Sequence, residues 1–544
     1  MLKTNKAILN NKTFDYIIVG SGSAGATLAS RLCEKGGNTV LLLEAGGEPR
    51  GIWFKIPLGI GKILHKDKYV WKFFSEQGKG IKNRKLYIPQ GKILGGSSSV
   101  NGLVYSRGLP AKFNEWARMG CPGWSFKEVL PFFKRMEDYP NGDEDTRGIG
   151  GPLKITEVSP KDKLSEAFKC SCLQAGYPEI DDYNAFEGEG VSYLQLNTRN
   201  GVRESTLSSY LQKNKFKHKL EVRTNSFVEK ILIKDKRAIG VIVKKNEIKY
   251  SVFAKKEVII AAGAIQSPKL LEISGIGNPD ILNKFNIPIV HSLIGVGENL
   301  QDHINVRLSF RSRGSLTIND ALNSKWKALK LGLRYLTHRD GLLSTPSATI
   351  QAMLKTSTKL KYPDIKVQLV HLTEKGRFGI AQDSGVDDFS GFSIGTYQLF
   401  PKSVGSVHIQ SNNPEGDPLI NPNYLDHQDD VSTLLKAVKV ARKISQQPSL
   451  QSFIIEELRP GKTVVKDKDL IEYIRDFGQT TYHPVGTCKM GIDKFSVVDS
   501  KLKVHGIEAL RIVDASIMPI LVSSNTNAAA IMIGEKAADL ILNE

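Results

Sequence analysis

Tyr16-Ile17-Ile18-Val19-Gly20-Ser21-Gly22-Ser23-Ala24-Gly25, followed by Val40-Leu41-Leu42-Leu43-Glu44, is the stretch from which the architecture is read. An apolar run ends in a glycine-rich turn, Ala24, Leu28 and Leu32 recur at helical spacing, and a second apolar run closes the unit. That order predicts strand, turn, helix and strand, a βαβ unit with buried parallel strands. Gly20 and Gly22 permit a tight turn and let a pyrophosphate approach the helix N-terminus, where unpaired N–H groups favour an anion. Ser23 and Ala24 stand at that N-terminus, and Gly25 lets helix and strand pack closely. Glu44, with Ala45 beside it, arrives where a carboxylate accepts hydrogen bonds from both ribose hydroxyls. It would repel a 2′-phosphate, which disfavours NADP. The pattern predicts a dinucleotide site and does not by itself choose between NAD and FAD.

Two more buried strands are expected to end at the same ligand: Glu257 to Ala262, before Gly263, and Leu510 to Val513, before Asp514. Residues 138–160 are rich in turn formers and residues 194–206 are polar, whereas alternating runs over roughly 305–410 predict an antiparallel sheet in a second domain. The closing helix, Ala528 to Leu542, suits a segment buried beside the cofactor. The fold class is therefore α/β plus α+β. A chain of 544 residues is long enough for two cores.

Composition sets further bounds. With 40% hydrophobic and 24% charged residues the chain is not mainly disordered. The net charge of +19 is spread along the chain, densest at Lys79 to Lys85, Lys213 to Lys219 and Lys359 to Lys361. No aromatic-interleaved repeat accompanies it, so nucleic acid is not an expected partner. No apolar run is long enough to span a bilayer, and the opening residues lack a secretory apolar core, which predicts a cytoplasmic enzyme, peripheral to the membrane at most. The five cysteines are odd in number, and Cys170 and Cys172 lack zinc spacing, so all five are read as buried thiols and no metal site is expected. Neither a Gly-x-Ser-x-Gly elbow nor a His-Glu-x-x-His motif is present, which leaves serine and zinc hydrolysis without residues.

Longer segments narrow the choice of cofactor. Gly91-Lys92-Ile93-Leu94-Gly95-Gly96-Ser97-Ser98-Ser99-Val100-Asn101 and Gly263 to Gly277 resemble the two signatures of the glucose-methanol-choline (GMC) oxidoreductases. Gly295 to His303, His483 to Gly491 and Val513 to Ser516 are similar to further family segments in the family's order, so the resemblance covers nearly the whole chain. It implies FAD, with Glu44 on the adenosine ribose, Val228 near the adenine, and Asp514 and Ala515 toward the pyrophosphate and ribityl chain. Ala262 is placed in the same site. The loop carrying Gly91, Leu94, Ser97, Asn101, Gly102 and Val104 would pass the flavin ring, where glycine and serine allow close backbone approach. Some members attach FAD through a histidine at the position of Val100; valine cannot form that bond, so the FAD is expected to be noncovalent. The resemblance implies an FAD-binding domain of residues 1–155, 200–306 and 466–544, and a substrate domain of 156–199 and 307–465.

Alcohol oxidation needs a base for the hydroxyl proton and a hydride acceptor. The resemblance makes His483, in Tyr482-His483-Pro484, the base. Asn525, in Ser523-Ser524-Asn525-Thr526-Asn527, would hold the substrate oxygen. Thr526 replaces the family's proline, and Asn527 would approach the flavin. Tyr482 is the candidate substrate contact, and His303 is read as structural. Choline-oxidising members would hold the trimethylammonium with aromatic faces and a glutamate. The expected register puts Thr349 at that glutamate's place, and no acid lies between Gly341 and Lys361, so a neutral primary or secondary alcohol is preferred over choline. The acceptor would be a quinone, a redox protein or oxygen. Competing readings are an oxygen-reducing oxidase, a cyanohydrin lyase with structural FAD, and a pyridine-nucleotide dehydrogenase.

Overall fold

The computed structural model describes residues 12–34, 37–314, 317–375 and 385–544. The opening segment, expected to lack a secretory core, lies outside them through residue 11. No helix among the described residues is long and apolar enough to cross a membrane.

Two seven-stranded sheets organise the chain. In the first, Thr13–Val19 pairs in parallel with Val40–Leu43 on one side and with Ile248–Ile260 on the other. Leu220–Arg223 extends one edge in parallel. Leu510–Ile512 adds to the far side of Val258–Ile260. The strand at Ile248 is longer than expected, because it does two jobs. Its first half pairs antiparallel with Arg237–Lys245, and its second half enters the parallel core. It stops at Ile260, since Ala262 and Gly263, the latter at φ +83°, turn the chain into the helix Gly263–Ile273.

Ile17, Ile18, Leu41 and Leu42 are fully buried, as a parallel sheet covered on both faces requires. The helix Ser23–Glu34 lies against the closing helix Asn527–Leu542, which begins one residue before the expected start. At Gly534 a side chain would meet the Ala24 carbonyl at 2.6 Å, so glycine sets how closely these helices approach.

The second sheet is antiparallel throughout, in the order Ile454–Arg459, Ile304–Ser312, Gly391–Gln398, Ile365–Val370, Ala348–Leu354, Gly190–Tyr193. Gln479–Thr480 also pairs with Ile304 and Asn305. The alternation places Ile365, Val367 and Leu369 in the core beneath the helix Gln428–Ser445, which buries Val431, Leu434, Val438 and Ala441 there. One cysteine departs from expectation: Cys170 is exposed, on the outer face of the helix Lys163–Gln174, whereas the other four are buried.

Candidate active site

The C-terminal ends of the parallel strands converge. Gly20 N–H donates to the Leu43 carbonyl, Ala261 N–H to that of Val19, and Val513 N–H to that of Ile260. Together with part of the second sheet they enclose a cavity of ≈ 1180 Å³. Gly20, Gly22, Ser23 and Ala24 line it at the start of the first helix, and a side chain at Gly22 would meet nothing within 4 Å, so the helix N-terminus is open to a ligand. Glu44 and Ala45 line it at the end of the second strand. The Glu44 carboxylate is buried, accepts from Ser21 N–H (3.1 Å), Ser21 Oγ (2.6 Å) and Gly46 N–H (2.8 Å), and is raised by burial above its ordinary pKa. A further donor from a ribose would stabilise its ionised form.

Gly91, Ser97, Asn101, Gly102 and Val104 line the same cavity on the loop that packs against the fingerprint turn, where a side chain at Gly96 would stand 2.6 Å from the Gly22 Cα. Val228, Ala262, Asp514, Ala515, Thr526 and Asn527 complete the wall. The Asp514 carboxylate is spent within the protein, accepting from Gly263 N–H (2.9 Å), Ser267 Oγ (2.6 Å) and Ser516 N–H (2.8 Å), so it ties the helix Gly263–Ile273 to the cleft. Asn527 Oδ1 accepts from Ser23 Oγ at 2.7 Å, whereas its Nδ2 is buried with no partner among the described residues. An orphaned donor in a cleft of this shape, beside an open helix N-terminus and a buried acid, fits a dinucleotide cofactor.

Two predicted positions do not line the cavity. Gly25 faces the sheet, where a side chain would lie 2.0 Å from the Gly20 carbonyl; its work is helix packing. Leu94 is turned into the core of the first sheet, because the loop needs an apolar anchor there.

His483, 8% exposed, also lines the cavity, on a turn in which Tyr482 holds φ +66°. The His483 N–H donates to Asp302 Oδ1 at 2.8 Å. Tyr482 also lines the cavity and is partly exposed. The ring nitrogens can be assigned from their neighbours. His303 Nε2 lies 3.1 Å from the Leu399 carbonyl, which only accepts, so this nitrogen carries the hydrogen and His303 Nδ1 is bare. Facing that bare nitrogen at 3.1 Å, His483 Nδ1 must donate; it also lies 2.8 Å from Thr481 Oγ1. His483 Nε2 is left with its lone pair, receiving a hydrogen bond from Asn525 Nδ2 at 3.0 Å. Burial, then His303 and Lys366, hold His483 well below the ordinary histidine pKa, so it is neutral.

Sequence reasoning missed two residues here. His303, expected to be structural, is in contact with His483 and decides its tautomer. Lys366 is fully buried on the strand Ile365–Val370, with Nζ 3.2 Å from Asn525 Oδ1 and 3.3 Å from Ser524 Oγ. Its donation to Oδ1 turns the Asn525 NH2 toward His483, and burial pushes the amine down to about 7. The signal for His303 was its place in a family segment; for Lys366 there was none.

A correction concerns Thr349. It does not line the cavity but is buried against Ser165 Oγ (2.7 Å) and His371 Nε2 (2.9 Å), because it points to the helix side of its strand. Its identity therefore says nothing about substrate. Among the described residues, the acid lining the cavity on the side of the second sheet is Glu374, 3.8 Å from Arg307. No cluster able to hold a metal ion occurs among the described residues.

Comparison with known proteins adds an independent observation. The family model described as GMC oxidoreductase matches residues 14–305 with its N-terminal part and residues 401–534 with its C-terminal part. An oxygen-dependent choline dehydrogenase of Photobacterium profundum is 37% identical over 539 residues, covering 98% of this chain and 93% of that protein. Among solved structures, pyridoxine 4-oxidase from Mesorbium loti is similar with a TM-score of 0.87 and 29% identity, covering 98% of this chain and 99% of that one. A formate oxidase variant of Aspergillus oryzae RIB40, studied for modification of its FAD, gives a TM-score of 0.90 at 25% identity, covering 98% of each chain.

Proposed function

The chain belongs to the GMC oxidoreductases and is an FAD-dependent enzyme acting on CH–OH groups; from that premise we propose that His483 is its base, Asn525 its oxyanion partner, and the FAD noncovalent. The observation that carries the reading is the neutral imidazole whose Nε2 lone pair stands at the cavity wall beside an amide donor. A base that is already unprotonated accepts the hydroxyl proton without first losing one. The Asn525 NH2 then donates to the oxygen as it becomes anionic, a task an amide performs although it cannot act as a base. Bound FAD supplies the two-electron acceptor.

The residues proposed to hold the cofactor are those lining its end of the cavity, with Asn527 Nδ2 as a free donor and the helix N-terminus at Gly22 for the pyrophosphate. Val100 is packed among Phe54, Ile63, Val70 and Ile93 and has no atom able to bond a flavin, which supports noncovalent binding. The division into an FAD-binding part (1–155, 200–306, 466–544) and a substrate part (156–199, 307–465) is part of the same proposal; the strands of the first sheet all fall in the FAD-binding part, whereas the second sheet crosses the division at residues 304–306 and at Gln479–Thr480.

A neutral alcohol remains the preferred substrate. Glu374 has Arg307 nearby, and Lys366 stands behind Asn525, an unfavourable field for a quaternary ammonium. Choline is the second reading, favoured by the similarity to a choline dehydrogenase along nearly the whole chain. Anaerobic mixing with a panel of alcohols, choline included, while following the oxidised flavin band, tests substrate and redox activity together. His483→Ala should stay yellow and be reduced roughly 10²–10⁴-fold more slowly; a wild-type rate would refute the base. A band that no alcohol bleaches would favour the lyase. Hydrogen peroxide formed in air marks oxygen as acceptor, and reduction of a quinone or dye without it marks a dehydrogenase.

A further inference from the structure

A surface helix ordinarily turns its apolar stripe inward. The helix Lys325–His338 does the reverse. Tyr335 is its one buried side chain, its hydroxyl donating to the Gly201 carbonyl at 3.0 Å, whereas Trp326, Leu329, Leu333 and Leu336 stand in solvent, Trp326 at 82% exposure. With about 100° between successive residues, Trp326, Leu329 and Leu333 fall on one stripe facing away from Tyr335, and Leu336, at the edge of that stripe, also borders the cavity. Lys327, Lys330 and Arg334 run along one side of it and Lys325 stands on the other. Lys327 pairs with Asp320 at 3.3 Å and Arg334 with Asp340 at 2.7 Å, while Lys325 and Lys330 have no ion-pair partner among the described residues. The inner side of the same helix, through Ala328, Leu331 and Gly332, lines the cavity that holds His483.

We propose that this helix docks the enzyme on an anionic lipid surface, with the Trp326–Leu336 stripe among the headgroups and the flanking lysines against lipid phosphates. An apolar stripe bordered by basic residues, on a helix too short to span a bilayer, is the pattern of a helix lying in the interface plane. Charge selects lipid over a second copy. Two copies meeting through the stripe would press two basic bands together on chains of net charge +19, whereas an anionic leaflet complements them. Docking would place the wall of the cavity against the bilayer, so that a lipid-dissolved alcohol or acceptor reaches it from the membrane. The proposal goes beyond the catalytic assignment and does not depend on it.

The test is sedimentation of full-length, FAD-loaded protein with vesicles of phosphatidylcholine alone or mixed with phosphatidylglycerol. The protein should pellet with the mixed vesicles at low salt, leave them as salt rises, and stay in solution with the neutral ones. Lys325→Glu with Lys330→Glu should weaken partitioning roughly tenfold or more. Trp326→Ser with Leu333→Ser should do likewise. Both variants should oxidise a dissolved alcohol at the wild-type rate with a dissolved dye as acceptor, showing that they fold. Failure to bind either vesicle, binding that neither pair of substitutions weakens, or a lipid-free dimer that Trp326→Ser with Leu333→Ser splits would overturn the proposal.

Discussion

The state of His483 is set by neighbours that do not line the cavity. Leu399 fixes the tautomer of His303, His303 fixes that of His483, and Lys366 fixes the amide of Asn525 from behind, so each hydrogen bond leaves one choice for the next. If Lys366 positions that amide, Lys366→Met should cost roughly tenfold in the rate of flavin reduction, about 1.4 kcal/mol, with KM little changed. Unchanged reduction would show that the amide is held in some other way. Why Lys366 was not legible follows from strand alternation. Ile365, Val367 and Leu369 announce one buried face, and Lys366 and Gln368 on the other face read as solvent positions. Gln368 instead lines the cleft and Lys366 is buried behind Asn525, and that tertiary contact leaves no trace in local periodicity. His483 and Asn525 were legible only because whole motifs surrounded them.

Among the elements, the segment Gln479 to Pro484 is anchored, beyond its pairing with Ile304 and Asn305, by one buried carboxylate. Asp302 Oδ1 accepts the N–H groups of His303 and His483, each at 2.8 Å, and Oδ2 accepts from the hydroxyls of Thr480 and Tyr424. Burial raises Asp302 from its ordinary 3.8 to about 6. Above that pH it is ionised and accepts from all four donors; as pH falls through about 6 it takes up a proton, and one hydroxyl must turn away from Oδ2. His483 titrates well below the ordinary histidine range, so an acid limb here is not its own. The rate of flavin reduction should therefore fall as pH drops through about 6, and Asp302→Asn, which cannot titrate, should remove that limb from the pH profile. Persistence of the limb in the variant would assign it elsewhere. The βαβ unit was readable because its glycines and apolar runs are local signals. The loop after Gly91 was readable only in part, since whether Leu94 faces the cavity or the core depends on what packs against it.

Over the whole molecule, the cavity exists because two sheets of different kind meet. Val19, Glu44, Ala262 and Asp514 end the parallel strands on one side, and Asn305, Gln368 and Tyr397 come from the antiparallel sheet on the other. Composition and length predicted two cores but not which ends would face each other. A cofactor filling this space would couple the two cores, and a ligand bound only by the folded state stabilises it by about 2.7 kcal/mol when free ligand is about a hundredfold above Kd. If the flavin is held without a covalent bond, as proposed from valine at position 100, that contribution should be removable. Acid precipitation should leave a colourless pellet and a yellow supernatant. Protein stripped of FAD under milder conditions should unfold at a lower temperature than the holoenzyme and regain the difference when FAD is added. A pellet that stays yellow after washing would mean that some other side chain has bonded the flavin, and noncovalent binding would have to be given up.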